Sequence, residues 1–301
     1  MSIKNFVGLC GIIKFSMTEL KRSEKVFFAK ALLEELRLIH ETEGKFDLSL
    51  LESYSPYVWN SNLTRTQKWL LQILFTLSSK GQFPIYISAH YLKEVYGIKA
   101  ASVFMSLLKR KGYIARYKGM VYFPHILREE DIDIHWFWKA KLTYSQLGFL
   151  YFLFSHYSKH IKEGQHLYHS AGVYKKLSTY WKMDFRLYRE KFLDNIKKYE
   201  RLGILSKTQH PAFRLFKLKL IRKLPFNLND VPKPDGTLSI EEYALYVDMF
   251  LNKLPDNSIH MRAIPKRRAS KEKLKTLLES LIEKGKLTKV VSNTFLVNYN
   301  H

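Results

Sequence analysis

Apolar positions along this chain alternate between helical spacing and strand spacing, and the two follow one another in a recurring order. From a Thr64 cap, Trp69, Leu70, Ile73, Leu74 and Leu77 recur at helical intervals and predict a helix that runs toward Gly81. Phe83 to Ile87 is a short strand candidate. Ser88 then caps a helix through Leu92 and Val95, Gly97 provides the turn, and a further helix follows from Lys99 with Val103, Phe104, Leu107 and Leu108 on its apolar side. Tyr113 to Arg116 and Met120 to Phe123 predict a tight hairpin about Tyr117-Lys118-Gly119.

The same ending occurs three times. SLLKRKGYIARYKGMVYF, NIKKYERLGILSKTQHPAFRLFKL and SLIEKGKLTKVVSNTFLV each carry an amphipathic run into basic residues, a glycine (Gly112, Gly203, Gly285) and alternating apolar positions. That is the pattern of a helix closed by a C-terminal glycine and followed by a β-hairpin. Recurrence at near-domain spacing predicts repeated modules.

In the second module the predicted helices cover Thr143 to about Tyr157, a stretch between Ser170 and Trp181, and a basic segment after an Asp184 cap with Tyr188, Phe192, Ile196 and Tyr199 inward. Its hairpin uses Ile204 to Ser206 and Phe213 to Leu220, with Gln209-His210-Pro211 at the tip. The third has a helix from Ile240 to about Leu254, a basic loop from Arg262 to Arg268, and a helix with Leu274, Leu277, Leu278, Leu281 and Ile282 inward. It lacks a clear middle helix, and its hairpin turns at Ser292-Asn293.

These readings divide the chain into an N-terminal helical or assembly segment at 1–62, modules at 63–124, 143–223 and 239–301, and connectors at 125–142 and 224–238. The second connector contains NLNDVPKPDGT, rich in turn residues. Within the first segment, Val26, Ala29, Leu32, Leu33, Leu36 and Ile39 predict a helix over 18–40. The apolar run FVGLCGIIKF before it is short, lacks a small-residue cleavage site and reads as the start of a strand or helix.

Charge sharpens the division. The 301 residues hold 50 Lys plus Arg against 27 Asp plus Glu, a formal net charge of +23. Residues 64–124 contain 10 basic side chains and 1 acidic, residues 143–223 contain 17 and 5, and the first 63 balance at 8 and 8. Basic charge gathers in two modules, as expected if those two face a polyanion. A single cysteine, Cys10, excludes an internal disulfide and a cysteine-based zinc finger, which fits a reducing cytoplasmic or nucleoid setting. WLLQILFTL and LGFLYFLF are too short to span a bilayer, so no membrane partner is expected.

By element order and by the phrases LLKRKGYIARYKG and YRE…KKYERLGIL, residues 64–124 and 143–222 resemble tandem winged-helix DNA-binding proteins, nearest to the two-winged-helix initiators of plasmid and phage replication. The resemblance implies a mainly α fold with small β-hairpins (α+β), and a non-enzymatic, sequence-specific double-stranded DNA-binding protein without a cofactor. It also implies that the helices at 99–110 and 184–201 enter major grooves while the hairpins meet phosphate or the minor groove. The DNA-contacting set is then Lys99, Ser102, Ser106, Lys109, Arg110, Arg116 and Lys118 in the first module. Lys182, Arg186, Arg189, Arg214 and Lys217 follow in the second, and Arg262, Lys266, Arg267 and Arg268 in the third. Arg186 and Arg189 are the leading base-reading candidates, because arginine can make paired hydrogen bonds to guanine. The N-terminal segment or third module would assemble a homodimer or recruit replication proteins.

Other chemistries are weaker. No GxxxxGK[ST] loop occurs, nor two histidines flanking one apolar residue. Glu129, Glu130, Asp131 and Asp133 read as an exposed connector rather than a nuclease site. His156, His160, His166 and His169 are the only metal-like cluster, and no carboxylate accompanies the helical pair in the HExxH manner, so no metal site is assigned. Tyr113, Tyr117, Tyr174, Tyr180 and Tyr188 lie among basic residues, which keeps single-stranded DNA and RNA as alternative partners. A transcription regulator, a winged-helix scaffold in a nucleic-acid complex and a metal-dependent nucleic-acid enzyme are the competing functions.

Overall fold

A computed structural model describes residues 58, 61–132, 135–163, 166–168, 171–181, 185–209, 215–291 and 293–299. The apolar N-terminal run, the helix read over 18–40, Lys182, the Asp184 cap, His169, Arg214, the hairpin tip at His210-Pro211 and Ser292 lie outside the described residues. So do the side chains of His166, Tyr174, Arg186, Tyr188 and Arg189, whose backbone is placed. The architecture is α+β: helices with small antiparallel sheets. No described helix is long and apolar enough to cross a membrane.

Two compact units are formed. The first holds the described residues of Met1–Asp133 with Leu254–Ala263 and Val290–Thr294; the second holds those of Ile134–Lys253, Ile264–Lys289 and Phe295–His301. Residues of the third predicted module are thus shared between the two.

In the first unit α1 (Arg65–Leu77) is buried along most of its length, with Leu70, Ile73 and Leu74 at its centre. The backbone N–H of Thr64 donates to Gln67 Oε1 at 3.2 Å, which occupies one of the donors a helix start leaves unpaired. Ser88 Oγ accepts from Tyr91 N at 3.0 Å to start α2 (Ala89–Tyr96), and Gly97 ends it at φ +72°, a left-handed geometry that costs glycine little. There follow α3 (Ala101–Arg110), β1 (Ala115–Tyr117) and β2 (Met120–Tyr122). The predicted strand at 83–87 contracts to one antiparallel bridge, Ile85 to Val121 in β2. Asp256 Oδ2 accepts from Tyr91 Oη at 2.8 Å and Tyr96 Oη at 2.6 Å, fastening the distant 254–263 segment onto α2.

The second unit runs α4 (Trp136–Lys139), α5 (Tyr144–Glu163), β3 (His166–Tyr168), α6 (Ala171–Trp181), α7 (Phe185–Arg201), β4 (Leu205–Gln209), β5 (Leu215–Leu220) and α8 (Ile240–Asn252). Part of what the sequence suggested as connectors is core here. Phe137 is fully buried among the rings of Trp138, Tyr151 and Phe226, and Leu224, Leu228, Val231 and Leu238 are buried too. Turn-forming Pro, Asn and Asp residues did not prevent these apolar side chains from packing against α5 and α8. Of the remaining elements, β6 (Ser258–His260) belongs to the first unit and α9 (Lys271–Glu283) to the second, while the residues of β7 (Leu287–Val291) and β8 (Thr294–Val297) are divided between the two.

One topology recurs. A helix, a strand, further helical structure and a hairpin follow in order, and the leading strand always pairs with the second strand of the hairpin. Ile85 pairs with β2, the second sheet runs β3-β5-β4 and the third runs β6-β8-β7. In the third instance the middle helix is replaced by a single 3-10 turn, Met261–Ala263, and an irregular basic loop.

Candidate nucleic-acid interface

A surface with a strong basic bias lies in the first unit, on α3 and the hairpin after it. Ala101, Met105 and Leu108 face the core, with Phe104 beside them half-buried. Sequence spacing had placed Val103 inside; instead it is 65% exposed. With 101, 105 and 108 inward, position 103 falls on the arc of Ser102 and Ser106. Lys99, Ser102, Ser106, Lys109 and Arg110 are all exposed. Ser106 Oγ donates to the Ser102 carbonyl at 3.0 Å, so the serine proton is spent within the helix. Lys111 Nζ donates to the Asn62 carbonyl at 3.3 Å, which leaves the two residues before it as the outward charges of the last turn.

In the hairpin, Arg116 is exposed with Nη2 3.8 Å from Met105 Sδ. Lys118 at φ +47° and Gly119 at φ +85° form the turn, both left-handed, as a two-residue hairpin of this hand requires. Lys118 Nζ lies 4.6 Å from the centre of the Tyr117 ring. Arg262, far away in sequence, reaches this tip: its Nη1 is 3.3 Å from where a β-carbon on Gly119 would stand. Lys118 and Arg262 therefore form one basic point. Its composite nature has no trace in the local sequence, because chain folding alone brings the two segments together. The sole acidic residue in 64–124, Glu94, is engaged with Lys93 at 3.5 Å and His90 at 3.8 Å.

The second unit is more mixed. Arg186 and Arg189 lie in the first turns of α7, where exposed Glu190 and Asp194 interrupt the basic run. Lys217 is half-buried on β5, the central strand, opposite His166 and Thr208. Lys266 and Arg268 are exposed.

Arg267 corrects the sequence reading. Its side chain and that of Asp248 are both 0% exposed. Arg267 Nε and Nη2 donate to Asp248 Oδ2 and Oδ1, each at 2.8 Å, and Nη1 donates to the carbonyls of Phe137 at 3.2 Å and Ala140 at 3.3 Å. Tyr151 Oη donates to the same carboxylate. Burial alone would push the guanidinium pKa down, but Asp248 holds it above its ordinary value. A charge enclosed this way ties α4, α5, α8 and the basic loop together and is not presented to a ligand.

The described part of the histidine cluster is a packing arrangement. His156 stacks on Phe152 at 4.4 Å between ring centres, with Nδ1 3.3 Å from the Phe152 carbonyl and Nε2 3.3 Å from Tyr180 Oη. Burial, reinforced by Lys176 and Lys233, pushes its pKa down to about 4. Among the described residues no three His, Cys, Asp or Glu side chains are gathered so as to hold a metal. Tyr180 likewise packs on Phe152, His156 and Trp181, whereas Tyr113 and Tyr117 are half-exposed beside the basic hairpin.

Comparison with protein-family models, with characterised proteins and with solved structures found no match to this chain.

Proposed function

We propose that this protein is a sequence-specific double-stranded DNA-binding protein built from tandem winged helices, with a role in initiating replication of a plasmid or phage. The observation that carries the DNA-binding reading is the α3 and hairpin surface: an acid-free helix exposing two serines and three flanking basic residues, followed by a basic turn to which Arg262 is added. Small polar side chains on a helix allow close approach to base edges in a major groove, and lysine and arginine at its borders neutralise phosphates. The repeated order of helix, strand, helix, helix and hairpin supports the winged-helix assignment for the first two modules. The replication role rests on the resemblance to two-winged-helix initiators, and a transcription regulator would use the same surface.

Titration of the full chain with random-sequence duplex, single-stranded DNA and RNA at several salt concentrations, beside duplexes enriched by selection, tests this reading. The expected result is a selected duplex bound about a thousandfold tighter than random DNA, with affinity falling steeply as salt rises. Weak binding without preference, even at low salt, rejects it and favours a scaffold. A second measurement separates the roles within the surface. Lys118→Ala should weaken specific and random duplex about equally, whereas Arg186→Ala should weaken the specific one more.

A further inference from the structure

The outward face of α3 contains one side chain that neither packing nor helix formation accounts for. Val103 is 65% exposed, more than any other large hydrophobic residue in the described part of the chain. A β-branched residue is also a poor choice for helix stability compared with alanine. It stands beside Ser102 and, about one turn on, Ser106, with basic residues only at the two ends of the face. The centre of this face is therefore small, uncharged and partly apolar.

Ser106 adds a second, independent constraint. Because its hydroxyl proton is donated to the Ser102 carbonyl at 3.0 Å, the oxygen has only lone pairs left for a ligand. In a major groove an acceptor of this kind is matched by an exocyclic amine, from adenine N6 or cytosine N4. An exposed valine is matched by the one apolar group there, the thymine 5-methyl. Only an A·T pair offers an amine and a methyl together.

From this juxtaposition we infer that α3 reads an A·T pair through Val103 on the thymine methyl, with Ser106 accepting from the adenine amine. The inference rests on the duplex-binding reading above and names what the first module selects. Val103 is then a specificity-determining residue, and the lysines and arginines around it set affinity without choosing sequence.

The test uses the full chain and duplexes enriched from a random-sequence pool, each made again with deoxyuridine in place of thymidine, throughout and then one position at a time. This change removes the methyl and leaves every hydrogen-bonding group in place. The wild-type protein should lose about fourfold in affinity at one or two positions, the value of one buried methyl group. Val103→Ala should bind the thymidine and deoxyuridine duplexes equally and unfold at no lower temperature than the wild type. Equal wild-type binding to both duplexes overturns the inference while leaving DNA binding intact. So does a fourfold preference that survives in Val103→Ala, since another residue would then hold the methyl. Failure to enrich any duplex removes the DNA-binding reading, and this inference with it.

Discussion

Arg267 and Arg268 are adjacent and identical in type, yet only one is available to a partner. The Arg267 guanidinium has its hydrogen-bond partners inside the second unit, so Arg267→Ala strands the Asp248 carboxylate in a buried site. The expected cost is about 3–5 kcal/mol, because an unpaired buried charge is far worse than a missing pair. Arg268→Ala should stay within about 0.5 kcal/mol of wild type; urea unfolding of both variants measures the contrast. His156 gives a residue-scale pH dependence. Its pKa of about 4 in the fold lies below the ordinary histidine value of 6.5, so the unfolded chain binds the proton more readily. Its contribution is present in full above about pH 6.5 and declines as the pH falls toward 4. Thermal melts across that window should show the loss, and His156→Gln should reduce the slope.

At the scale of elements, the second unit depends on how closely α5 and α8 approach. A β-carbon on Gly148 would stand 2.3 Å from the Ile240 carbonyl oxygen, a backbone atom that cannot step aside. Gly148→Ala should therefore destabilise by about 1–3 kcal/mol despite the better helix propensity of alanine, measured by thermal or urea unfolding. The start of α8 is secured by Ser239 and Glu242, whose carboxylate accepts from the Ser239 N–H, from Ser280 Oγ and from Lys284 Nζ. Burial would raise its pKa, yet these bonds carry it down to about 2. The sign follows: the stabilisation is full above the ordinary carboxylate range and disappears as the pH falls toward 2, which is a lower window than that of His156. Glu242→Gln should lower the melting temperature between pH 4 and 6.5, where the carboxylate's stabilisation is full, and lessen the further loss below about pH 4.

For the whole molecule, helical spacing, capping residues and the glycine that closes each basic run made most helices and all three hairpins legible. These signals are local: a cap acts within one turn and an amphipathic face shows in a dozen residues. The charge partition pointed to the modules at 64–124 and 143–223 in the same way, since charge counts survive without coordinates. Strands β3 and β6 were not legible, because a three-residue segment outside a hairpin, with no adjoining turn to mark a partner, becomes a strand only by pairing with a later hairpin. The fate of individual side chains was also undecided. Spacing assigned Val103 to the wrong face of α3 because the direction of burial is set by what packs against the helix. Composition counted Arg267 among surface charges because its partner, Asp248, lies on another helix. The sequence by itself determined the repeated elements and where positive charge collects. Tertiary structure alone decided that Arg262 joins the hairpin of the first module and that Arg267 is enclosed, since both depend on contacts between segments far apart in the chain.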